Sequence, residues 1–444
     1  MKIIIAGDGD TGCHLARLLS AENQDVVLIG TQTRRLEYLD SNYNILTLQG
    51  KSTSPSTLKA AGVSDCDIFV AVTPWENCNL LSAQIARDMG AGRTLARISS
   101  SEYAEPEQRE RFMSHGIDML VLPEKIAAGE IAAGLRHSWL RSRMEIHGGE
   151  ILVATVKLLP GAPLDGTMLH DLRHDNKQFH VSAIRRGHET IIPRGDDMLR
   201  ARDILYLTFL PDEEHKIPAL CGITPVRIRR VMIAGAGKTA RLLAAELGSG
   251  FNITAIDSDR ERCEKFAAKC RHATVVNSDF RRIDVLREER ISEAQAFVAL
   301  SDSAETNIVS SMVARDMGVA KTVAEIEELQ YLDEANRLDI DSVVNKKLAT
   351  SGAIYQMLLD TSLNTPRCLA LEEVEVAEVV AAPDSRITRS AVKDLHLPRE
   401  MTLGGLVRDG KGVLVNGDTR ILPGDHVVVF CLEGSISRLM RYFQ

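Results

Sequence analysis

Gly7, Gly9 and Gly12 follow the apolar run KIIIA and precede CHLARLLSA, whose apolar residues recur at helical spacing. In such a G-x-G-x-x-G run one glycine makes a tight turn. A second lets backbone approach a pyrophosphate, and the third lets a helix pack on a strand. The helix start then aims amide N–H groups at phosphate oxygens. Gly235-x-Gly237-x-x-Ala240 repeats the pattern, with alanine in the third place. One such loop is common to many proteins, but two between strand and helix point to nucleotide binding at both.

A dinucleotide loop of this kind is served by an acidic residue about 20 positions on, which holds a ribose hydroxyl. In the second half ITAID puts Asp257 there, whereas in the first VVLIG puts Gly30 there, followed by Thr31, Gln32, Thr33, Arg34 and Arg35. Losing the carboxylate removes the ribose contact and its repulsion of a 2′-phosphate. Arg34 or Arg35 would then suit NADP or another phosphorylated ligand; the alternative is a solvated basic helix start.

The elements that carry these loops occur twice. KIIIAGDGDTG (2–12) matches RVMIAGAGKTA (230–240), and DIFVAVTPWENCNLLSAQIARDMGAGRTLARI (67–98) matches QAFVALSDSAETNIVSSMVARDMGVAKTVAEI (295–326). IIPRGDDMLRARDILYLTF (191–209) matches VLVNGDTRILPGDHVVVFC (413–431). A fixed offset over such lengths means tandem copies, about 1–222 and 228–444, joined near VRIRR (226–230). Each copy alternates short apolar runs with helix-period runs, then changes to short alternating strands with turn signals. The expected fold is α/β: two tandem copies of a Rossmann-type parallel-sheet lobe, each followed by a small β-rich α+β lobe. The expected boundaries are 1–122 and 228–345 for the Rossmann lobes, 123–145 and 346–366 for crossover helices, and 146–222 and 367–444 for the β-rich lobes. EKIAAGEIAAGLRHSWLRSR reads as one long helix, and its small residues suit close helix approach in a homo-oligomer.

Net charge is −8 and aromatics are 4%, which argues against nucleic-acid binding. The N-terminus lacks a secretory h-region, and no run approaches the about 20 apolar residues that span a bilayer, so a cytoplasmic protein is expected. Eight cysteines form no C-x-x-C pair and read as small core residues in a reducing compartment, with no metal site expected. An NAD(P)-dependent oxidoreductase needs a placed acid or base beside its substrate. The twelve histidines fall mostly outside matching places of the copies, and no His/Lys/Tyr constellation ends a Rossmann strand. A non-enzyme is expected; a free-standing nucleotide-sensing scaffold is a further class.

DIFVAVTPWENCN, AFVALSDSAETN, GIDMLVLPE (116–124) and NGDTRILPGDHVVVF (416–430) make the whole chain resemble the TrkA family. These are peripheral subunits of Trk potassium uptake systems, built from tandem regulator-of-K+-conductance domains. The resemblance implies binding of NAD(H) or adenine nucleotides such as ATP and ADP. It also implies a ring of domains from two to four chains and an integral-membrane potassium-translocating partner at the inner face of the plasma membrane. It assigns Gly7, Asp8, Gly9, Asp10, Thr11 and Gly12 to the first site, with Gly30 and Thr31 at the strand-two end, Thr73 and Pro74 at the strand-four end, and Arg97 on strand five. It assigns Gly235, Ala236, Gly237, Lys238, Thr239, Ala240, Asp257 and Ser301 to the second, where Glu325 replaces the arginine. After the third strand the family's Gly-Asp-Ala-Thr-like stretch falls on Gly50, Lys51, Ser52 and Thr53 in the first copy. In the second it falls on Asn277, Ser278 and Asp279. Gly30 and Lys51 both remove negative charge, so the first site is expected to prefer the more anionic ligand.

Overall fold

The computed structural model describes every residue except 22–23, 174–178, 188, 339, 360–366, 372–373, 433–434 and 444. Six short runs of the first copy form β1 (Lys2–Ala6), β2 (Asp25–Gly30), β3 (Leu46–Gln49), β4 (Ile68–Ala71), β5 (Arg93–Arg97) and β6 (Met119–Val121). The central β1, β2 and β4 are almost wholly buried, as parallel strands covered on both faces are, whereas edge strand β3 is not. The strand order is β3-β2-β1-β4-β5-β6, all parallel, so the order in which strands are added reverses between β1 and β4. Ile4, Val27, Phe69 and Ala96 pack with Leu58 and Ala83 in the core of this lobe.

Residues 1–127 form a compact unit together with 345–361. The helix Lys346–Leu359, which follows the second Rossmann lobe in sequence, thus lies in the first lobe's unit, along the helix Asp10–Ala21. His14 Nδ1 shares a hydrogen bond with Ser351 Oγ at 2.7 Å, and Lys347 Nζ binds Asp10 Oδ2 at 2.9 Å.

The other unit comprises 128–344 and 362–444. Its first β-lobe has β7 (Ser142–Ile146), β8 (Ile151–Lys157), β9 (Phe179–Arg186), β10 (Glu189–Ile191) and β11 (Ile204–Phe209), antiparallel in the order β10-β9-β11-β8-β7. The second Rossmann sheet has β12 (Arg230–Ala234), β13 (Asn252–Asp257), β14 (Thr274–Asn277), β15 (Ala296–Ala299), β16 (Lys321–Glu325) and β17 (Ser342–Val344) in the order of the first. The second β-lobe has β18 (Arg367–Leu371), β19 (Val374–Val380), β20 (Met401–Arg408), β21 (Lys411–Leu414) and β22 (His426–Leu432), ordered β18-β19-β22-β20-β21. The two β-lobes share one core: Ile151, Val153 and Tyr206 pack with Val376, Val428 and Phe430. Gly404 marks their close approach, since a Cβ there would stand 2.6 Å from Thr208 Oγ1 and 2.9 Å from Ser182 Oγ.

The repeated motif near the end of each copy is structural. Buried Asp203 takes Arg186 through both oxygens at 2.9 and 2.7 Å, and Asp425 takes Arg408 at 2.9 and 2.6 Å.

One expectation is corrected. The first crossover helix spans Pro123–Arg136, not 123–145; Ser142–Ile146 instead pair with β8, with Ser142 Oγ 2.6 Å from Thr155 Oγ1. A ladder partner outweighs helix periodicity there, and no Gly or Pro marks the change. Ala127, Ala128 and Ala132 of this helix are buried within the chain, whereas Ala133 is exposed and a Cβ on Gly129 or Gly134 would meet nothing within 4 Å. The second crossover helix is seen over Lys346–Leu359; residues 360–366 lie outside the described residues.

Candidate functional site

Open parallel sheets bind ligands at the carboxyl ends of strands where the order reverses. The β1 and β12 loops lie at that point in their sheets. Gly7 has φ +132°, and a Cβ on it would sit 2.9 Å from Thr73 N; Gly235 has φ +106°, with Leu300 O 2.6 Å away. A Cβ on Gly12 would fall 1.9 Å from Gly7 O, so only glycine lets the helix begin there. A Cβ on Gly9 or Gly237 would meet nothing within 4 Å. Each loop therefore has a bare middle glycine facing open space, where a pyrophosphate approaches in loops of this kind. Thr11, Thr239 and Ala240 are buried at the helix starts behind it.

In the second copy Asp257, at the end of β13, is 6% exposed. Its Oδ2 accepts the Ala236 amide at 2.8 Å and its Oδ1 the Asp259 amide at 2.9 Å. Each carboxylate oxygen keeps a second lone pair for a ribose hydroxyl. The first copy reverses this arrangement. Asp8, in the loop, sends Oδ2 across to the amides of Thr31 at 2.7 Å and Gln32 at 2.5 Å, at the end of β2. Gly30 leaves room for it, because a Cβ on Gly30 would stand 2.5 Å from Asp8 Cβ. The carboxylate has changed strands; it has not been lost.

Asp10 adds a second acid at the first loop, where the matching residue is Lys238. Its Oδ1 takes Arg35 Nη1 at 3.0 Å and its Oδ2 takes Lys347. Burial alone would raise the Asp10 carboxyl, but Lys347 and Arg35 together hold it below the ordinary aspartate value. Arg35 also donates to Asp8 O at 3.1 Å, so it is engaged within the loop, while Arg34 is exposed. The expectation of a net loss of negative charge at the first site is thus corrected: Asp8 and Asp10 replace what Gly30 and Lys51 remove.

A buried asparagine closes the far wall in both copies. Asn79 Oδ1 accepts from Thr73 N and Oγ1, and its Nδ2 donates to Thr73 O and Arg97 O, tying β4 to β5. Asn307 does the same for Ser301 and Glu325 O. Neither asparagine was singled out from the sequence, although identical residues at matching offsets in WENCN and AETN mark them. Thr73 and Ser301 therefore stand at the strand ends with their hydroxyls turned inward to the clamp. Pro74 is exposed beside Trp75, itself 70% exposed. Arg97 is half-buried, and its Nε has no hydrogen-bond partner among the described residues. Ser52 and Thr53 lie half-buried in the turn after β3, with Lys51 exposed beside them. Asp279 follows β14 and is occupied by Arg281, whose Nη2 is 2.8 Å away.

The TrkA-N domain model matches residues 3–123 and 231–346, and the TrkA-C domain model matches 153–222 and 376–444. The chain is 30% identical over 449 residues to the Trk system potassium uptake protein TrkA homolog of Archaeoglobus fulgidus, covering 100% of both. It is 29% identical over 451 residues to the Trk system potassium uptake protein TrkA of Halomonas elongata, covering 100% of this chain and 99% of that one. Among solved structures, the GsuK channel bound to NAD aligns with TM-score 0.58 at 15% identity, covering 100% of this chain and 78% of that one. That likeness is one of fold.

Proposed function

The chain belongs to the TrkA family, and on that premise we propose that it is the cytoplasmic, non-enzymatic gating subunit of a potassium transporter, controlled by NAD(H) or adenine nucleotides. Its partner is an integral-membrane potassium-translocating subunit, and two to four copies of this chain form the regulatory ring at the inner membrane face. The observation that carries the nucleotide reading is the second loop. An open middle glycine, a helix start free of acidic residues, and a buried Asp257 with lone pairs to spare converge there. Among the described residues no helix is long and apolar enough to cross a membrane, so on this reading membrane attachment is through the partner. A nucleotide moves the gate only by its difference in affinity for the two ring states.

Calorimetric titration of the purified chain with NADH, NAD, ATP and ADP, followed by potassium flux through its reconstituted membrane partner, tests this. Nucleotide binding that alters flux supports it. Binding without any effect on flux returns the chain to the free-standing sensor class, and turnover of NADH with a carbonyl substrate would make it an enzyme.

A further inference from the structure

Away from both nucleotide loops, three ligating side chains from separate segments meet at one point. His147 lies between β7 and β8 of the first β-lobe; Glu378 is on β19 and His426 opens β22 of the second. Glu378 Oε1 accepts the Nδ1–H of each imidazole at 2.8 Å. The rings stand edge to face with centroids 4.6 Å apart, and the three ligand atoms lie within 4.8 Å of one another. The Glu378 side chain is 7% exposed, while His147 and His426 are 33% and 38% exposed. A buried carboxylate is thus roofed by two rings that solvent reaches.

The backbone at this place is unusual. His147 has φ +49°, and Gly148 and Gly149 continue at +68° and +96°. A left-handed histidine is uncommon and needs surrounding structure to hold it. Among the described residues the set also occurs once. The register of β8 with β11 matches that of β19 with β22, and it puts Thr155 and Ile204 where the second lobe has Glu378 and His426. Neither can replace the carboxylate and imidazole as a ligand pair.

We propose that His147 Nδ1, Glu378 Oε1 and His426 Nδ1 form a binding site for one divalent transition-metal ion of the zinc class, which fastens the two β-lobes of a single chain to each other. Two imidazoles and a carboxylate suit zinc and its neighbours, whereas calcium and magnesium favour all-oxygen shells. Ligands about 2.0–2.2 Å from a tetrahedral zinc stand roughly 3.3 Å apart. Each ring must therefore back away from Glu378 by about half an ångström, a small movement for side chains at the surface. Each neutral imidazole then carries its proton on Nε2, and the open fourth position takes water. Sequence spacing hides the site, because its ligands are 231 and 48 residues apart.

The test is titration of the chelator-treated, full-length chain with zinc chloride, beside the His147→Asn/His426→Gln double variant and Glu378→Gln. Asparagine tolerates the left-handed turn, and glutamine keeps an acceptor for the rings while removing the charge. The wild type is expected to bind one zinc equivalent that the double variant lacks. Glu378→Gln should weaken that equivalent at least tenfold, and cobalt(II) should give tetrahedral absorption bands in the wild type alone. Equal stoichiometry and affinity in all three proteins would place the zinc on cysteines or other histidines and overturn the proposal. So would no binding by the wild type. If the double variant fails to fold, Glu378→Gln decides by the same criterion.

Discussion

The two glycine loops share backbone, strand order and asparagine clamp, yet they arrange charge in opposite ways. In the second copy the loop is neutral at Ala236 and basic at Lys238, and the acid stands on the neighbouring strand as Asp257. In the first copy the acids stand in the loop itself, as Asp8 and Asp10, and the neighbouring strand ends in Gly30. A helix N-terminus attracts anions through its amides and dipole. Asp10 supplies an anion in the first turn of the first copy's helix, held by Lys347 and Arg35, while Asp8 spends its carboxylate on the amides at the end of β2. The second loop leaves the same position open to a ligand's phosphates. A Rossmann loop is therefore defined by its glycines as a fold element, but as a binding site only by where its carboxylates stand.

The largest expected effect falls on what the copies share. Asn79→Ala and Asn307→Ala each strip a buried amide from backbone groups on two strands. Each should destabilise its own unit by about 3 kcal/mol, since buried partners are left unsatisfied. Denaturant unfolding checks this, and a much smaller loss in one copy would show that the clamps are unequal. Next comes Asp257→Ala, which removes a charge-assisted hydrogen bond of roughly 1.5–3 kcal/mol. NADH affinity at the second site should fall tenfold or more by calorimetry. If the variant binds NADH as the wild type does, the ribose assignment is wrong.

The repeat, the glycine turns and the open-sheet order could be read along the chain, because strand and helix periods and tight turns are local properties. The relocated carboxylate could not. Asp8 reads as one more loop residue until folding brings β1 beside β2 and its Oδ2 onto Thr31 and Gln32. The placement of Lys346–Leu359 against the first lobe's helix was hidden for the same reason, since its partners His14 and Asp10 are 337 residues away. Asn79 and Asn307 were readable in principle from the repeat. What distinguishes them from other matched residues is burial, which only packing reveals.

The copies should also differ in acid sensitivity. His14 of the first copy is half-buried, and desolvation, with Arg17 nearby, pushes its pKa down to about 4; the matching residue of the second copy is Leu242. The folded state thus refuses a proton that the unfolded chain takes near pH 6.5. Stability from this group is fully present above that pH and is lost as pH falls toward 4. Between pH 7 and pH 5 the loss approaches about 2 kcal/mol. Urea unfolding should show His14→Leu to be less sensitive to acid over this window than the wild type. An identical pH slope in the two proteins would mean that His14 is not what titrates.

The smallest effect tests the charge reversal itself. Asp10→Asn keeps the side chain's size and leaves Lys347 and Arg35 without their anion at the first helix start. Asp10 and Lys347 are each 30% exposed and Arg35 44%, so losing the two ion pairs should cost under about 1 kcal/mol of stability. A phosphate arriving at the loop would then meet two cations and a helix N-terminus with one acid fewer. The Coulomb change is large at short range but screened near the surface, leaving roughly 1 kcal/mol for the ligand. In an Asp257→Ala background, which weakens the second site, ATP should bind the Asp10→Asn protein about fivefold more tightly than its Asp10 parent. The gain should shrink as salt is raised, because it arises from exposed charge. An unchanged affinity with the fold intact would show that Asp10 does not govern access to the first loop. Asp8, with its carboxylate already holding the amides of β2's end, would then be the residue that closes it.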